Sequence, residues 1–96
     1  MRTARLRRRA ERDLIDIWHY TAERWNEDQA DAYLDVIGLA IQQLVLQPEM
    51  GVRRDGVRDG YRVFFVDRHA IYYRITPSAV QIVRVLHDRM DPHRHM

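Results

Sequence analysis

The 96-residue sequence contains no cysteine, and all 16 of its basic residues are arginine, none lysine. Without cysteine there is no disulfide framework and no thiolate metal site, a composition that suits a reducing cytosol. No apolar run approaches membrane-spanning length. The N-terminus lacks the apolar core of a signal peptide. The expected location is therefore cytoplasmic, with no membrane partner. Also missing are GxSxG, HExxH and the phosphate-binding P-loop, so neither a cofactor nor a metal is expected. Arginine in place of lysine favours planar clamps on phosphate or carboxylate. Guanidinium stays charged near neutrality and makes a poor proton shuttle.

Ninety-six residues make one domain, spanning 1–96. A chain of this size buries only about 60–65% of its unfolded surface, and a partner often adds to its stability. The net charge of +2 conceals a pattern. Residues 1–12 carry six Arg and one Glu, and residues 13–50 carry one Arg against eight acids. Residues 51–96 carry nine Arg against five Asp. The acidic middle reads as a solvated helical face. The basic ends suit an acidic partner or nucleic acid.

Thr3–Arg7 reads as a short edge strand. Ala10, Leu14, Ile17, Trp18, Thr21 and Trp25 then form a 3-4-3 stripe, predicting a helix from about Arg8 to Arg24. Its "RRR" start opposes the helix dipole. Asn26 suits a left-handed helix end, and Glu27 and Asp28 suit the first turn of a second helix. The second stripe is Ala30, Tyr33, Leu34, Ile37, Ala40, Ile41 and Leu44, ending before Pro48. So short a turn makes the two helices an antiparallel hairpin. "PEMGVRRDGVRDG" reads as a loop. The period then changes to two, predicting strands at Tyr61–Asp67, His69–Thr76 and Ala79–His87 in an antiparallel meander. The expected fold is α+β: an N-terminal β-strand and a two-helix hairpin packed on an antiparallel sheet, in the order β-α-α-β-β-β.

A two-residue loop at Pro77-Ser78 sets Ile75 opposite Val80 and Tyr73 opposite Ile82. One face then carries Ile71, Tyr73, Ile75, Val80, Ile82 and Leu86 toward the helices. The other carries Tyr72, Arg74, Gln81, Val83, Val85 and His87. This register puts Arg84 on the core side. The mixed second face suggests a docking surface, unless the C-terminal tail covers it.

His87, His93 and His95 have the spacing H-x5-H-x-H, but Pro92 breaks the segment and no third ligand is pinned at rigid spacing, so it is not read as a metal site. His19 reads as a helix-surface residue and His69 as a turn-ordering one. RNA cleavage through a 2′-hydroxyl needs a base, an acid and cations. Arg62, Arg74, Arg84 and His87 are the candidates for such a set, with His87 as the proton carrier.

The stretches "AERDLIDIWHYTAERWNEDQADAYL", "QPEMGVRRDGVRDGYRVF" and "HAIYYRI…VQIVRVLHDRMDPHRHM" together resemble the ParE branch of the RelE/ParE toxin superfamily over nearly the whole chain. Asn26 stands where the family usually has Gly, and the first helix lacks the usual Ser-Pro-type start. The resemblance implies a type II toxin held inactive by a ParD-like antitoxin in a hetero-oligomer. ParE-like members poison DNA gyrase, whereas RelE-like members cut messenger RNA on the ribosome. A third reading is an inactive homologue that only binds antitoxin. RelE-type nucleases usually carry lysines around the sheet and often a tyrosine in the tail. Arg62 matches a basic position of that site, but lysine is absent and no Tyr follows His87. The resemblance therefore favours the gyrase poison, with no direct sequence-specific DNA binding by the toxin. The target-binding candidates are Arg62, Arg74, Arg84, His87, Arg89, Arg94 and His95. Family antitoxins lay a helix and an extended segment across the toxin. Tyr33, Ile37, Ile41, Leu44 and Tyr72 are the candidates to receive them.

Overall fold

The computed structural model describes residues 1–96. The chain runs β1 (Thr3–Leu6), α1 (Arg8–Arg24), α2 (Glu27–Leu46), a 3-10 turn (Pro48–Met50), β2 (Val52–Arg53), β3 (Tyr61–Val66), β4 (His69–Ile75), β5 (Ala79–His87) and a short α3 (Pro92–His95). The sheet order is β1-β5-β4-β3-β2. It is mixed rather than antiparallel, because β1 pairs parallel to β5 from Thr3↔Ala79 to Leu6↔Ile82. The helical hairpin between β1 and the later strands returns the chain so that β1 and β5 run the same way. β2 was expected as loop. It pairs with β3 through Val52↔Val63 and Arg53↔Arg62.

Both predicted helices form. Arg7 precedes α1 with no side-chain cap, whereas Asn26 caps α2 by accepting the Gln29 N–H at 2.7 Å. Asn26 is extended, at φ −170, and not left-handed as expected. A capping residue needs extended backbone to aim its side chain at the first turn. The α2 stripe turns inward: Ala30, Ile37, Ala40, Ile41 and Leu44 are buried, and Tyr33 and Leu34 pack against the same core. The α1 stripe ends sooner, because Trp25 is 68% exposed.

The core lies between the hairpin and one sheet face, where Val66, Ile71, Tyr73, Val80, Ile82 and Val85 meet Ile17 and Ile37. Tyr73 also fastens the loop before β2. Its hydroxyl donates to the Pro48 carbonyl at 2.5 Å and accepts the Gly51 N–H at 2.9 Å. A Cβ on Gly51 would sit 2.8 Å from the Val63 carbonyl oxygen, so only glycine lets the loop approach this closely.

The expected pairing holds from Ile75↔Val80 to Tyr73↔Ile82, and then shifts. Tyr72 faces Arg84, leaving Val83 as an extra residue in β5. Such a bulge inverts the side-chain alternation of everything beyond it. Val85 therefore enters the main core, while Leu86 packs with Val63, Ala70 and Tyr72 on the opposite face. Both were expected the other way round. His87 also changes sides, pairing with His69 at the helix-facing end of the sheet. Arg84 moves off the core side to the outer face, opposite Tyr72. The tail partly covers that face, with Met96 against the Tyr72 cluster.

Candidate functional site

β1 covers β5 only as far as Ile82, where the Arg7 N–H donates to the Ile82 carbonyl at 2.9 Å. Beyond it the first turns of α1 take over the sheet edge. Asp13 Oδ2 accepts the Val85 N–H at 2.9 Å and Arg84 Nε at 2.8 Å, and Oδ1 accepts Arg84 Nη2 at 2.8 Å. One carboxylate thus satisfies an edge amide and a bidentate arginine. Both side chains are only 11% exposed. The Asp13 carboxylate pushes the Arg84 guanidinium further toward its charged form. Arg84 Nη1 also donates to the His95 carbonyl, which holds the tail against the sheet.

This clamp forms the back of a cleft of about 380 Å³ lined by Arg7, Arg8, Arg9, Arg58, Tyr61, Val83, Arg84 and Met96. Five arginines surround one tyrosine. Arg7 donates to the Tyr61 hydroxyl at 3.4 Å and to Gln81 Oε1 at 3.2 Å, so it is anchored to the outer sheet face. Arg8 and Arg9 are exposed and have no salt-bridge partner. Arg7, Arg8, Arg9, Arg58 and Tyr61 were not singled out from sequence. The available signal was the "RRR" start of α1, an arrangement unfavourable to the helix for which folding offers no reason.

The sequence-derived cleavage set does not assemble. Arg74 is exposed on the outer face, opposite Tyr61 and Gln81. Arg62 pairs with Tyr73, and its Nη1 donates to the Gly51 carbonyl at 2.9 Å and the Glu49 carbonyl at 3.3 Å. It braces the loop on the helix-facing side. Arg84 is held by Asp13. His87 lies on the helix-facing side at the far end of β4 from Arg62. Arg89 and Arg94 are exposed on the tail, and His95 is half-buried. No group of three or more His, Asp and Glu is arranged to hold a metal.

Of the residues read as antitoxin contacts, Ile37, Ile41 and Leu44 are interior, and Tyr72 is buried beside Met96. Tyr33 is half-buried, its hydroxyl 2.5 Å from His69 Nδ1. Burial pushes the Tyr33 hydroxyl pKa up and, with His87 alongside, the His69 pKa down, so both are neutral near pH 7. The outward face of α2 instead exposes Val36, Leu39 and Leu46, at 48%, 67% and 70%. Their i, i+3, i+10 spacing sets them along one side of the helix.

The family model described as "ParE toxin of type II toxin-antitoxin system" matches residues 4–92. The chain belongs to the ParE toxin family. Toxin ParE1 of Mycobacterium tuberculosis is 39% identical over 88 residues, covering 91% of this chain and 90% of the relative. Toxin ParE1 of Caulobacter vibrioides is 38% identical over 96 residues, covering 100% of this chain and 99% of the relative. Among solved structures, the chromosomal ParDE toxin–antitoxin system from P. aeruginosa superposes with a TM-score of 0.80 at 19% identity. That match spans 91% of this chain and 96% of the solved one, and it shows the shared fold. The chain is thus a ParE toxin of a type II toxin–antitoxin system. No helix of this ParE toxin is long and apolar enough to cross a membrane.

Proposed function

We propose that this ParE toxin poisons DNA gyrase by binding, stabilising the cleaved-DNA state and blocking replication, and that a ParD-like antitoxin neutralises it. The observation that carries the reading is the five-arginine cleft at the start of α1. It concentrates positive charge on one surface and holds no group that shuttles protons near neutrality. Such a surface clamps phosphate or carboxylate. The separation of Arg62 and His87 from Arg74 and Arg84 counts against the ribosome-dependent nuclease reading, which needs all four around one phosphate. Arg94 on the tail extends the basic target surface and Arg84 and His95 shape it from behind, whereas Arg89 lines a separate cleft at the other end of α1.

The antitoxin fits the exposed stripe Val36, Leu39 and Leu46, on which an amphipathic helix can lay its apolar face. β2 is an open sheet edge, with Val52 56% exposed, for an extended segment. The basic ends speed the approach of an acidic antitoxin tail.

The test is induction without antitoxin, with DNA and protein synthesis followed in parallel, and a gyrase cleavage assay on the purified chain. DNA synthesis is expected to stop first, with gyrase–DNA cleavage complexes accumulating. Early translation arrest with cuts within codons would instead establish the nuclease. An unaffected culture whose toxin binds antitoxin tightly would establish an inactive homologue.

A further inference from the structure

A second cleft, of about 550 Å³, lies at the other end of α1, between the α1–α2 turn, the β3–β4 turn and the end of β5. Arg24, Arg68 and Arg89 line it against one lining carboxylate, Asp67. Tyr20 and Trp25 also line it, 63% and 68% exposed. Trp25 belongs to the apolar stripe of α1 by spacing, yet folding leaves most of it in solvent.

The floor of the cleft is polar and ordered. Tyr33 meets His69 as described, and the His69 and His87 rings stand edge to face with centroids 5.5 Å apart. His87 Nδ1 lies 3.2 Å from the Arg89 amide nitrogen and 3.0 Å from Asp88 Oδ1. Nδ1 accepts from the amide when it carries no hydrogen and donates to the carboxylate in the tautomer that places the hydrogen there. Asp67 takes φ 52 at the β3–β4 turn, and the Arg68 carbonyl accepts the Asp88 N–H at 2.8 Å. Arg68 and Arg89 therefore reach the cleft from two backbone segments bonded to each other.

We propose that this cleft binds a nucleotide, free or within a single-stranded nucleic acid, with its phosphate on Arg24, Arg68 and Arg89 and its base on Trp25 or Tyr20. Guanidinium forks match phosphate oxygens. Exposed aromatic rings beside cations stack bases irrespective of sequence. His69 faces Tyr33 from α2, Asp67 from the turn, His87 at the end of β5 and Asp88 just beyond it, and Arg68 acts on the Tyr33 hydroxyl. A bound phosphate adds negative charge beside His69 and favours its protonated form. The 17-residue α1 separates the two clefts by about 25 Å, so this site stands or fails independently of gyrase poisoning.

The chain has two tryptophans, and Trp18 is bonded through Nε1 to Asp31 at 2.9 Å. Trp18→Phe leaves Trp25 as the sole fluorescent reporter. Titration with adenosine monophosphate and with a short oligo-dT strand is expected to quench Trp25 saturably. Inorganic phosphate should compete at least about tenfold more weakly than the preferred ligand, and Arg24→Ala/Arg68→Ala should lose at least about tenfold in affinity. Tighter oligo-dT binding assigns the site to nucleic acid, and tighter monophosphate binding to a free nucleotide. Equilibrium dialysis of labelled ligand against the unsubstituted chain reads the same affinities if Trp18→Phe does not fold. Absence of saturable binding of either ligand at millimolar concentration overturns the proposal. So does unchanged affinity in the folded double-arginine variant.

Discussion

The two basic clefts sit at opposite ends of α1 and differ in what accompanies their arginines. The cleft at the start of the helix has five arginines and one tyrosine, and one of the arginines, Arg84, is engaged by Asp13. The cleft at the far end has three arginines, two histidines and exposed aromatic rings. The charge of the first is independent of pH near neutrality, whereas that of the second rises as pH falls and His69, held neutral near pH 7 by burial, takes up a proton. One chain can thus carry a permanent electrostatic clamp and an adjustable one. The difference lies in which residues join the arginines, since arginine itself is spread through both basic ends.

The largest effect is expected where the permanent clamp is built into the fold. Asp13→Ala strands the buried Arg84 guanidinium and the Val85 amide. It should cost about 3–5 kcal/mol in urea unfolding. Arg84→Met added to Asp13→Ala should recover part of that loss, because the unpaired charge is gone. If Asp13→Ala leaves the denaturation midpoint unchanged, the pair is not what seals the sheet edge.

Next is the charge of the same cleft. Arg8→Glu/Arg9→Glu reverses two exposed side chains in the first turn of α1, where acids suit the helix dipole, so the melting temperature should hold or rise. Trapping of gyrase–DNA complexes should fall by about tenfold or more. Equal loss from Arg24→Glu at the other cleft would erase the distinction between the two.

A smaller contrast concerns pH. Burial and the neighbouring His87 hold the His69 pKa below its ordinary 6.5. As pH falls through 6.5 the unfolded chain takes up a proton that the folded chain resists, so stability is complete above that pH and declines below it. Urea unfolding at pH 7.5 and 5.5 should show this decline, and His69→Phe should reduce it. A His69→Phe chain with the same pH dependence as the parent would remove the histidine cluster as the cause.

The smallest stability change, within about 0.5 kcal/mol, is expected for Leu39→Asp on the exposed face of α2. Antitoxin affinity should nevertheless drop by about tenfold or more as a buried apolar contact becomes a charge. Calorimetry with the antitoxin reads this directly. Unchanged affinity would move the docking site away from α2.

Both helices, the three long strands and the inward stripe of α2 were legible in the sequence, because period and turn residues act over a few neighbours. The family was legible too, through motifs spread over the chain. The candidate site was much less so. Its arginines come from the β1–α1 junction, the loop before β3 and the middle of β5, and no local pattern brings these together. The "RRR" start of α1 read only as a poor helix beginning. Asn26 shows the same limit in miniature. The residue type marked a helix boundary, and the backbone decided which helix it capped.

By itself the sequence determined the elements, their amphipathic faces and a permanent charge carried by arginine alone. These follow from side-chain chemistry and short-range periodicity. Only the tertiary structure decided the parallel placement of β1, the pairing of Asp13 with Arg84, and the extra residue Val83 in β5. That one residue exchanges Val85 with Leu86 and moves His87 beside His69 and Tyr33. Strand alternation propagates a one-residue shift to the end of the strand, and the shift itself is set by contacts between residues distant in the chain.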